Sequence, residues 1–131
     1  MFVIFSLILT KQNPSCSAEI IKVEKPQHGD DSRTWGPPWA HNKDPSDRSS
    51  PESAYFLSIN RNKKSVTVNF KTQLGAQVIR DLVEKSDILV ENYIPGKLHK
   101  MGLGYEELSK INPKLIYASI TGKFSRVCIW L

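Results

Sequence analysis

Short apolar stretches recur along the chain, separated by segments rich in proline, glycine and charged residues. β-branched and aromatic residues are frequent in these stretches, and at residues 65–70 apolar and polar positions alternate with a period of two, which is typical of a strand. The predicted strands lie at residues 19–24, 65–70, 87–91 and 115–120. Turn signals follow them, such as Lys25-Pro26 after the first strand and Pro95-Gly96 after the third.

The segment between the second and third strands has the period of an amphipathic helix, which Thr72 can cap and Gly75 is expected to weaken locally. The residues expected on its buried face are Leu74, Val78, Leu82 and Val83. Shorter helices are predicted around residues 97–101 and 105–111. Strands that alternate with helices predict an α/β fold with a Rossmann-like parallel sheet, and ligands are expected at the carboxyl ends of its strands.

Residues 26–51 carry no regular pattern and are crowded with Pro, Gly, Asp, Ser and Asn. They predict an irregular surface loop, with partial disorder near residues 42–50. Order resumes at residues 55–59, and a polar turn at residues 60–64 leads into the next strand. A chain of 131 residues with this organisation needs only one domain.

The chain starts with an apolar run, residues 1–10, far shorter than the about 20 residues of a membrane-spanning helix. A secretory signal peptide is an alternative interpretation, because small residues at 15–18 could form a cleavage site, although no Lys or Arg precedes the run. The two cysteines, Cys16 and Cys128, have no CxxC spacing, so neither a zinc site nor a disulfide scaffold is indicated. A reducing intracellular compartment fits them better.

The formal net charge is +5, which favours an anionic partner such as nucleic acid, an acidic membrane surface or a phosphorylated small molecule. A basic cluster that could hold phosphates, or simply face solvent, consists of Arg61, Lys63, Lys64 and Lys71. Nucleic-acid binding is disfavoured, because no strand shows the aromatic residues interleaved with basic ones that such binding uses. Charge alone does not choose between the other two partners.

Several catalytic and cofactor motifs are absent. Residues 102–107 place Glu107 where a dinucleotide-binding fingerprint needs its third glycine, and residues 95–97 lack the flanking residues of a phosphate loop. No Gly-x-Ser-x-Gly motif presents a serine nucleophile. His28, His41 and His99 have no His, Cys or Asp at a metal-binding spacing, so they are expected to be solvated, and no metal site is predicted.

Ordered blocks of sequence resemble the N-terminal part of the class III coenzyme A (CoA) transferases, the CaiB/BaiF-like family. The blocks are residues 18–25 (AEIIKVEK), 29–33 (GDDSR), 58–66 (SINRNKKSV), 87–96 (DILVENYIPG), 101–107 (MGLGYEE) and 112–122 (NPKLIYASITG). The resemblance implies a Rossmann-like large domain, of which the chain holds an incomplete N-terminal part, in an interlaced dimer. It also implies transfer of CoA between dicarboxylic acids, from succinyl-CoA to glutarate, in the mitochondrion, although a cytoplasmic location stays open because no clear transit peptide is present.

The resemblance also implies which residues contact CoA. They are Lys25, Val68, Asn69, Phe70, Lys71, Asn92, Tyr93, Ile94 and Lys100. Lys25, Lys71 and Lys100 are expected at the phosphates or the adenine edge. Residues 68–70 and 92–94 are expected to line the path of the adenine and pantetheine. Acyl-CoA and a dicarboxylic acid would be substrates, with no permanently bound cofactor, no metal, no nucleic acid and no membrane partner.

The chain departs from the family at both ends. Residues 1–17 and 123–131 are expected to be non-family segments around a partial family domain at 18–122, and a central strand at the start is expected to be missing. Family members attack the acyl-CoA thioester with an aspartate and form a mixed anhydride. No acid of this chain matches that aspartate, so the chain alone is expected to be inactive. The alternative function is a noncatalytic protein that associates with the full-length enzyme.

Overall fold

The structure is a computed structural model that describes residues 2–5, 18–120 and 128–130. Its strands are β1 (Phe2–Phe5), β2 (Glu19–Glu24), β3 (Trp39–Ala40), β4 (Glu52–Ser53), β5 (Lys64–Thr67), β6 (Ile88–Glu91), β7 (Ile116–Ser119) and β8 (Cys128–Trp130). Its α-helices are α1 (Ala54–Ile59), α2 (Gln73–Glu84) and α3 (Tyr105–Ile111), and single 3₁₀ turns form at Asp31–Thr34 and His99–Met101. Residues 6–17 and 121–127 lie outside the described part, and with them Ser15, Cys16 and Ser17 of the possible cleavage site.

Six strands form one sheet in the order β5-β2-β1-β6-β7-β8. Neighbouring strands from β5 to β7 pair in parallel, and β8 pairs antiparallel with β7. This arrangement confirms the predicted Rossmann-like α/β fold. The prediction that a central strand is missing is wrong, because β1 lies between β2 and β6. A short apolar run is enough for a parallel strand that has neighbours on both sides. The difference between the sequence of β1 and the pattern of the family's first strand therefore does not prevent the pairing.

Helix α2 begins where the sequence predicts, since the Thr72 hydroxyl accepts the N–H of Gly75 at 3.1 Å. Its buried face differs from the prediction. Gly75, Ala76, Ile79 and Val83 are buried, whereas Leu74 is 82% exposed and Val78 41% exposed. The main core, which α2 forms with the elements packed against it, consists of Val68, Ala76, Ile79, Val83, Leu89, Leu103, Leu108, Leu115 and Tyr117. Small residues therefore let the start of the helix lie close to the chain below it.

Residues 26–51 are largely irregular, as predicted, although they include the first 3₁₀ turn and β3, which pairs with β4. The residues expected to resume order form α1. Charged side chains are buried between this region and β2: Lys22 forms an ion pair with Asp30, and Glu24 lies 3.6 Å from Arg33. No helix in the described ranges is long and apolar enough to cross a membrane.

Candidate functional site

A groove of about 480 Å³ opens where β2, β5 and β6 end. Carboxyl ends of parallel strands meet at one edge of a sheet, so the segments that follow these strands come together there. The groove is lined by Lys25, Pro26, Gln27, His28, Val68, Asn69, Phe70, Lys71, Tyr93 and Lys97. The lining combines aromatic rings with ammonium groups, a combination suited to a ligand with both a flat ring and negative charge.

The segment after β2 forms a tight turn. The His28 N–H donates to the Pro26 carbonyl at 2.9 Å, and the Gly29 N–H donates to the Lys25 carbonyl at 3.1 Å. Gln27 has a φ of 70° and Gly29 a φ of 62°, both in the left-handed region. The turn holds Lys25 and His28 at the groove rim.

The segment after β5 continues the sheet by one hydrogen bond, from the Val68 N–H to the Glu24 carbonyl at 3.1 Å, and then turns away. The predicted strand at 65–70 therefore ends early, at Thr67. The Asn69 side chain accepts the Lys71 N–H at 3.3 Å, and the Asn69 carbonyl accepts the Thr72 N–H at 3.1 Å. These bonds direct Phe70 and Lys71 toward the groove before α2 begins.

The segment after β6 supplies the opposite wall. The rings of Phe70 and Tyr93 meet edge to face, with their centroids 5.8 Å apart and their planes at 67°. Lys97 places its Nζ 5.0 Å from the centroid of the Tyr93 ring, within the range of a cation–π contact. Two aromatic rings and an ammonium group thus lie side by side.

Two further grooves adjoin this one. One of about 460 Å³ shares Phe70 and Lys71 and is also lined by Arg80 and Lys100. The other, of about 220 Å³, shares Lys25 and Tyr93 and also includes Asn92 and the buried charged residues Lys22, Glu24 and Asp30. Through these shared residues the three grooves form one connected surface.

The residues implied by the family resemblance are distributed over this surface. Lys25, Val68, Asn69, Phe70, Lys71 and Tyr93 line the main groove. Asn92 lines the smaller neighbouring groove and Lys100 the larger one. Ile94 is 76% exposed and lines none of the three. Its neighbours Tyr93 and Lys97 contribute to the main groove instead.

Lys97, His28 and Arg80 contribute to these grooves without having been predicted from the sequence. Lys97 directly follows the predicted Pro95-Gly96 turn, and a basic residue at the end of a turn beside an aromatic residue is a signal that could have found it. Arg80 could not be found in this way, because its approach to the groove depends on how α2 is rotated against the sheet.

The cations at the grooves differ in their neighbours. Lys25 Nζ lies 3.4 Å from the Asp31 carboxylate, with both side chains exposed. Within residues 18–120, no carboxylate forms an ion pair with Lys71, Lys97 or Lys100. Ammonium groups without an acidic neighbour remain available to an anionic ligand.

His99 lies apart from the main groove, beside two acidic residues. Its Nδ1 is 3.5 Å from Oε2 of Glu107, and with Glu106 the side chains place potential metal ligands within 4.8 Å of one another. The sequence spacing did not indicate this proximity, which arises because α3 folds back on the 3₁₀ turn. Exposed acidic groups often cluster without an ion, so these contacts do not establish a metal site.

Comparisons with known proteins agree with this architecture. The family model for CoA-transferase family III matches residues 16–124. Succinyl-CoA:glutarate CoA-transferase from Mus musculus and its counterpart from Homo sapiens are each 53% identical over 105 residues, covering 80% of this chain and 22% of each relative. A solved CAIB/BAIF family protein from Brucella suis superposes with a TM-score of 0.69 at 48% identity, covering 80% of this chain and 26% of that one. The chain spans only about a quarter of these proteins or less, and it belongs to CoA-transferase family III.

Proposed function

We propose that the groove binds CoA, and that the chain is the CoA-binding part of a transferase that moves CoA between dicarboxylic acids. One observation carries the proposal: the rings of Phe70 and Tyr93 lie beside Lys71 and Lys97 in one groove of about 480 Å³. CoA combines an adenine ring with a pyrophosphate and a ribose phosphate. Aromatic faces and ammonium groups are the partners that such a molecule requires.

The substrate pair follows from similarity. The mouse and human relatives carry the name succinyl-CoA:glutarate CoA-transferase, and we extend that pair to the enzyme from which this chain derives. In the family mechanism an aspartate carboxylate attacks the thioester carbonyl, and CoA leaves as thiolate while a mixed anhydride forms. The thiolate attacks the aspartyl carbonyl and releases the donor acid; the acceptor carboxylate then attacks this aspartyl thioester and releases the thiolate again. The thiolate finally attacks the acyl carbonyl of the acceptor anhydride, which yields the new acyl-CoA and frees the aspartate. Since no acid of this chain matches the attacking aspartate, we propose that the isolated chain binds CoA without transferring it.

Titration of the ¹⁵N-labelled chain with CoA, followed by two-dimensional amide NMR, tests the proposed binding. We expect shifts at Lys25, Lys71 and Tyr93, and weaker binding by Lys71→Met. Lys110→Met is the matched control, because Lys110 is exposed at the end of α3 and lines none of the three grooves. Absence of shifts in a well-dispersed spectrum would reject CoA binding.

A separate assay addresses transfer. Succinyl-CoA and glutarate are incubated with the chain, and glutaryl-CoA is measured by chromatography. We expect none above the rate without protein, and product formation would reject the proposed inactivity. The homodimer and the mitochondrial location remain predictions from the family resemblance, which light scattering and cell fractionation can test.

A further inference from the structure

Glu91 is a buried acid at the carboxyl end of β6, with 7% of its surface exposed. A buried carboxylate is costly unless hydrogen bonds or ion pairs compensate it. Among residues 18–120, no cation forms an ion pair with Glu91. Its Oε2 instead accepts the Tyr93 N–H at 2.7 Å.

Glu24, at the end of β2, provides a comparison because it is buried to the same extent. Its carboxylate lies 3.7 Å from Lys22 Nζ and 3.6 Å from Arg33, and it accepts the Ser65 hydroxyl at 3.1 Å. Glu24 therefore joins a network of side chains. Glu91, in contrast, directs its charge at the backbone of the segment that forms one wall of the groove.

The Tyr93 backbone determines where two groove elements lie. The Tyr93 ring contacts Phe70 on one side, and Lys97 Nζ lies over it. A hydrogen bond from a backbone N–H to an ionised carboxylate is about twice as strong as one between neutral groups. Holding the Tyr93 backbone in place therefore restricts where its ring can lie, and the ring in turn offers its face to the Lys97 ammonium group at the rim.

We infer that Glu91 is a positioning residue, whose buried carboxylate holds Tyr93 against Phe70 so that the groove is formed before any ligand arrives. Glu91 need not touch the ligand in this role. The consequence for affinity rests on the proposed CoA binding, whereas the positioning itself is a property of the free protein. Pre-forming the wall removes an ordering cost from binding.

The test compares Glu91→Gln, which retains an acceptor oxygen, with Glu91→Met, which has a similar length and lacks one. In the free protein, NMR measures the Tyr93 amide shift and the cross-relaxation between the Phe70 and Tyr93 rings. We expect both signals in the wild type and in Glu91→Gln, and their loss in Glu91→Met. CoA affinity should fall about tenfold in Glu91→Met and less than about threefold in Glu91→Gln.

Val83→Ala is the control for general destabilisation, because Val83 lies on the buried face of α2, is fully buried and lines none of the three grooves. It should lower stability yet retain the ring contact and the affinity. If Glu91→Met does not fold, Glu91→Asp keeps the charge but retracts the oxygen, and the same losses are expected in part. An unchanged ring contact and affinity in either folded variant would overturn the inference. If the wild type binds no CoA, the proposed function fails, while the two free-protein signals still decide the role of Glu91.

Discussion

Gly75 lies so close to Asn69 that a β-carbon on Gly75 would be 2.0 Å from the Asn69 carbonyl oxygen. That oxygen also accepts the Thr72 N–H, which forms the turn before α2. A glycine in the first turn of a helix thus lets the helix rest on the segment that lines the groove. What resembles a weak point in the helix is a requirement of the site.

Replacing Gly75 with Ala should therefore destabilise the protein, although alanine is the better helix former. We expect a loss of about 2 kcal/mol in the free energy of unfolding, because the added methyl group must displace backbone atoms. Chemical denaturation measures the loss, and amide shifts at Asn69 and Phe70 report the displacement. Leu74→Ala is the control, since its side chain is mostly exposed, and it should change stability by less than about 0.5 kcal/mol. A gain in stability for Gly75→Ala would contradict the close contact.

Lys97→Met tests the cation at the rim of the groove. We expect CoA affinity to fall about five- to tenfold at low salt, and the difference from wild type to shrink as salt screens the charge. Calorimetric titration at two salt concentrations measures both effects. Lys85→Met removes the same charge at the exposed C-terminal end of α2, away from the three grooves. Equal losses of CoA affinity in the two variants would indicate that the net charge of the protein, rather than the position of Lys97, determines the affinity.

Gln27→Gly should stabilise the turn after β2. Gln27 has a φ of 70°, which costs a residue with a β-carbon about 1–2 kcal/mol, whereas glycine adopts it freely. Glycine also increases the conformational entropy of the unfolded chain, which offsets part of this gain. We therefore expect the free energy of unfolding, measured with denaturant, to rise by about 0.5–1 kcal/mol. Asn62 has a φ of 59° but is a residue type that tolerates this region, so Asn62→Gly should gain less. Destabilisation by Gln27→Gly would show that the glutamine side chain has a structural role.

Asp30→Asn should destabilise the protein in a pH-dependent way. Burial raises the pKa of the Asp30 carboxyl, but hydrogen bonds from Lys22 and Ser32 outweigh it and hold the pKa below its ordinary value of 3.8. Stabilisation by the ionised form is therefore present above about pH 4 and lost as the pH falls through the lowered pKa.

At pH 7, Asp30→Asn should cost about 3 kcal/mol, because it leaves the buried Lys22 without its main partner. The difference in stability between Asp30→Asn and the wild type should become smaller as the pH falls below 4. Thermal unfolding at several pH values measures this difference. Asp31→Asn is the neighbouring control, because Asp31 is exposed, and it should change stability by less than about 0.5 kcal/mol. A cost for Asp30→Asn that is constant from pH 7 to pH 3 would contradict the role of its charge.

Strands β2, β5, β6 and β7 and helices α2 and α3 follow from sequence pattern, because their segments have clear apolar stretches or helical periods and clear end signals. The rotation of α2 about its axis, which decides which of its faces is buried, does not follow from sequence pattern. Leu74 and Val78 form one apolar stripe and Ala76, Ile79 and Val83 another, and the two overlap on the helix surface. The close approach of Gly75 to Asn69 selects the second stripe, and that contact is invisible until both segments are placed.

The site shows the same limit. Lys25 and Tyr93 could be placed at the groove because they lie in family-like blocks, Lys71 follows such a block by five residues, and each comes within two residues of the end of a predicted strand. In the sequence Glu91 is only an acid at the end of a predicted strand, since its burial and its hydrogen bond to Tyr93 depend on the folded structure. Strand β1 is not predicted from the sequence, because an enclosed strand needs only apolar residues, which many sequences provide.

The groove has a thermodynamic consequence, because each of its walls follows a different strand of the sheet. No stretch of the unfolded chain brings Lys25, Phe70 and Tyr93 together, so a ligand of the groove can bind only the folded form. Such a ligand adds its binding free energy to the stability of the fold, about 2.7 kcal/mol at a free concentration one hundred times its dissociation constant. If CoA is that ligand, as we propose, the fraction of folded chains in a cell would follow the local supply of CoA.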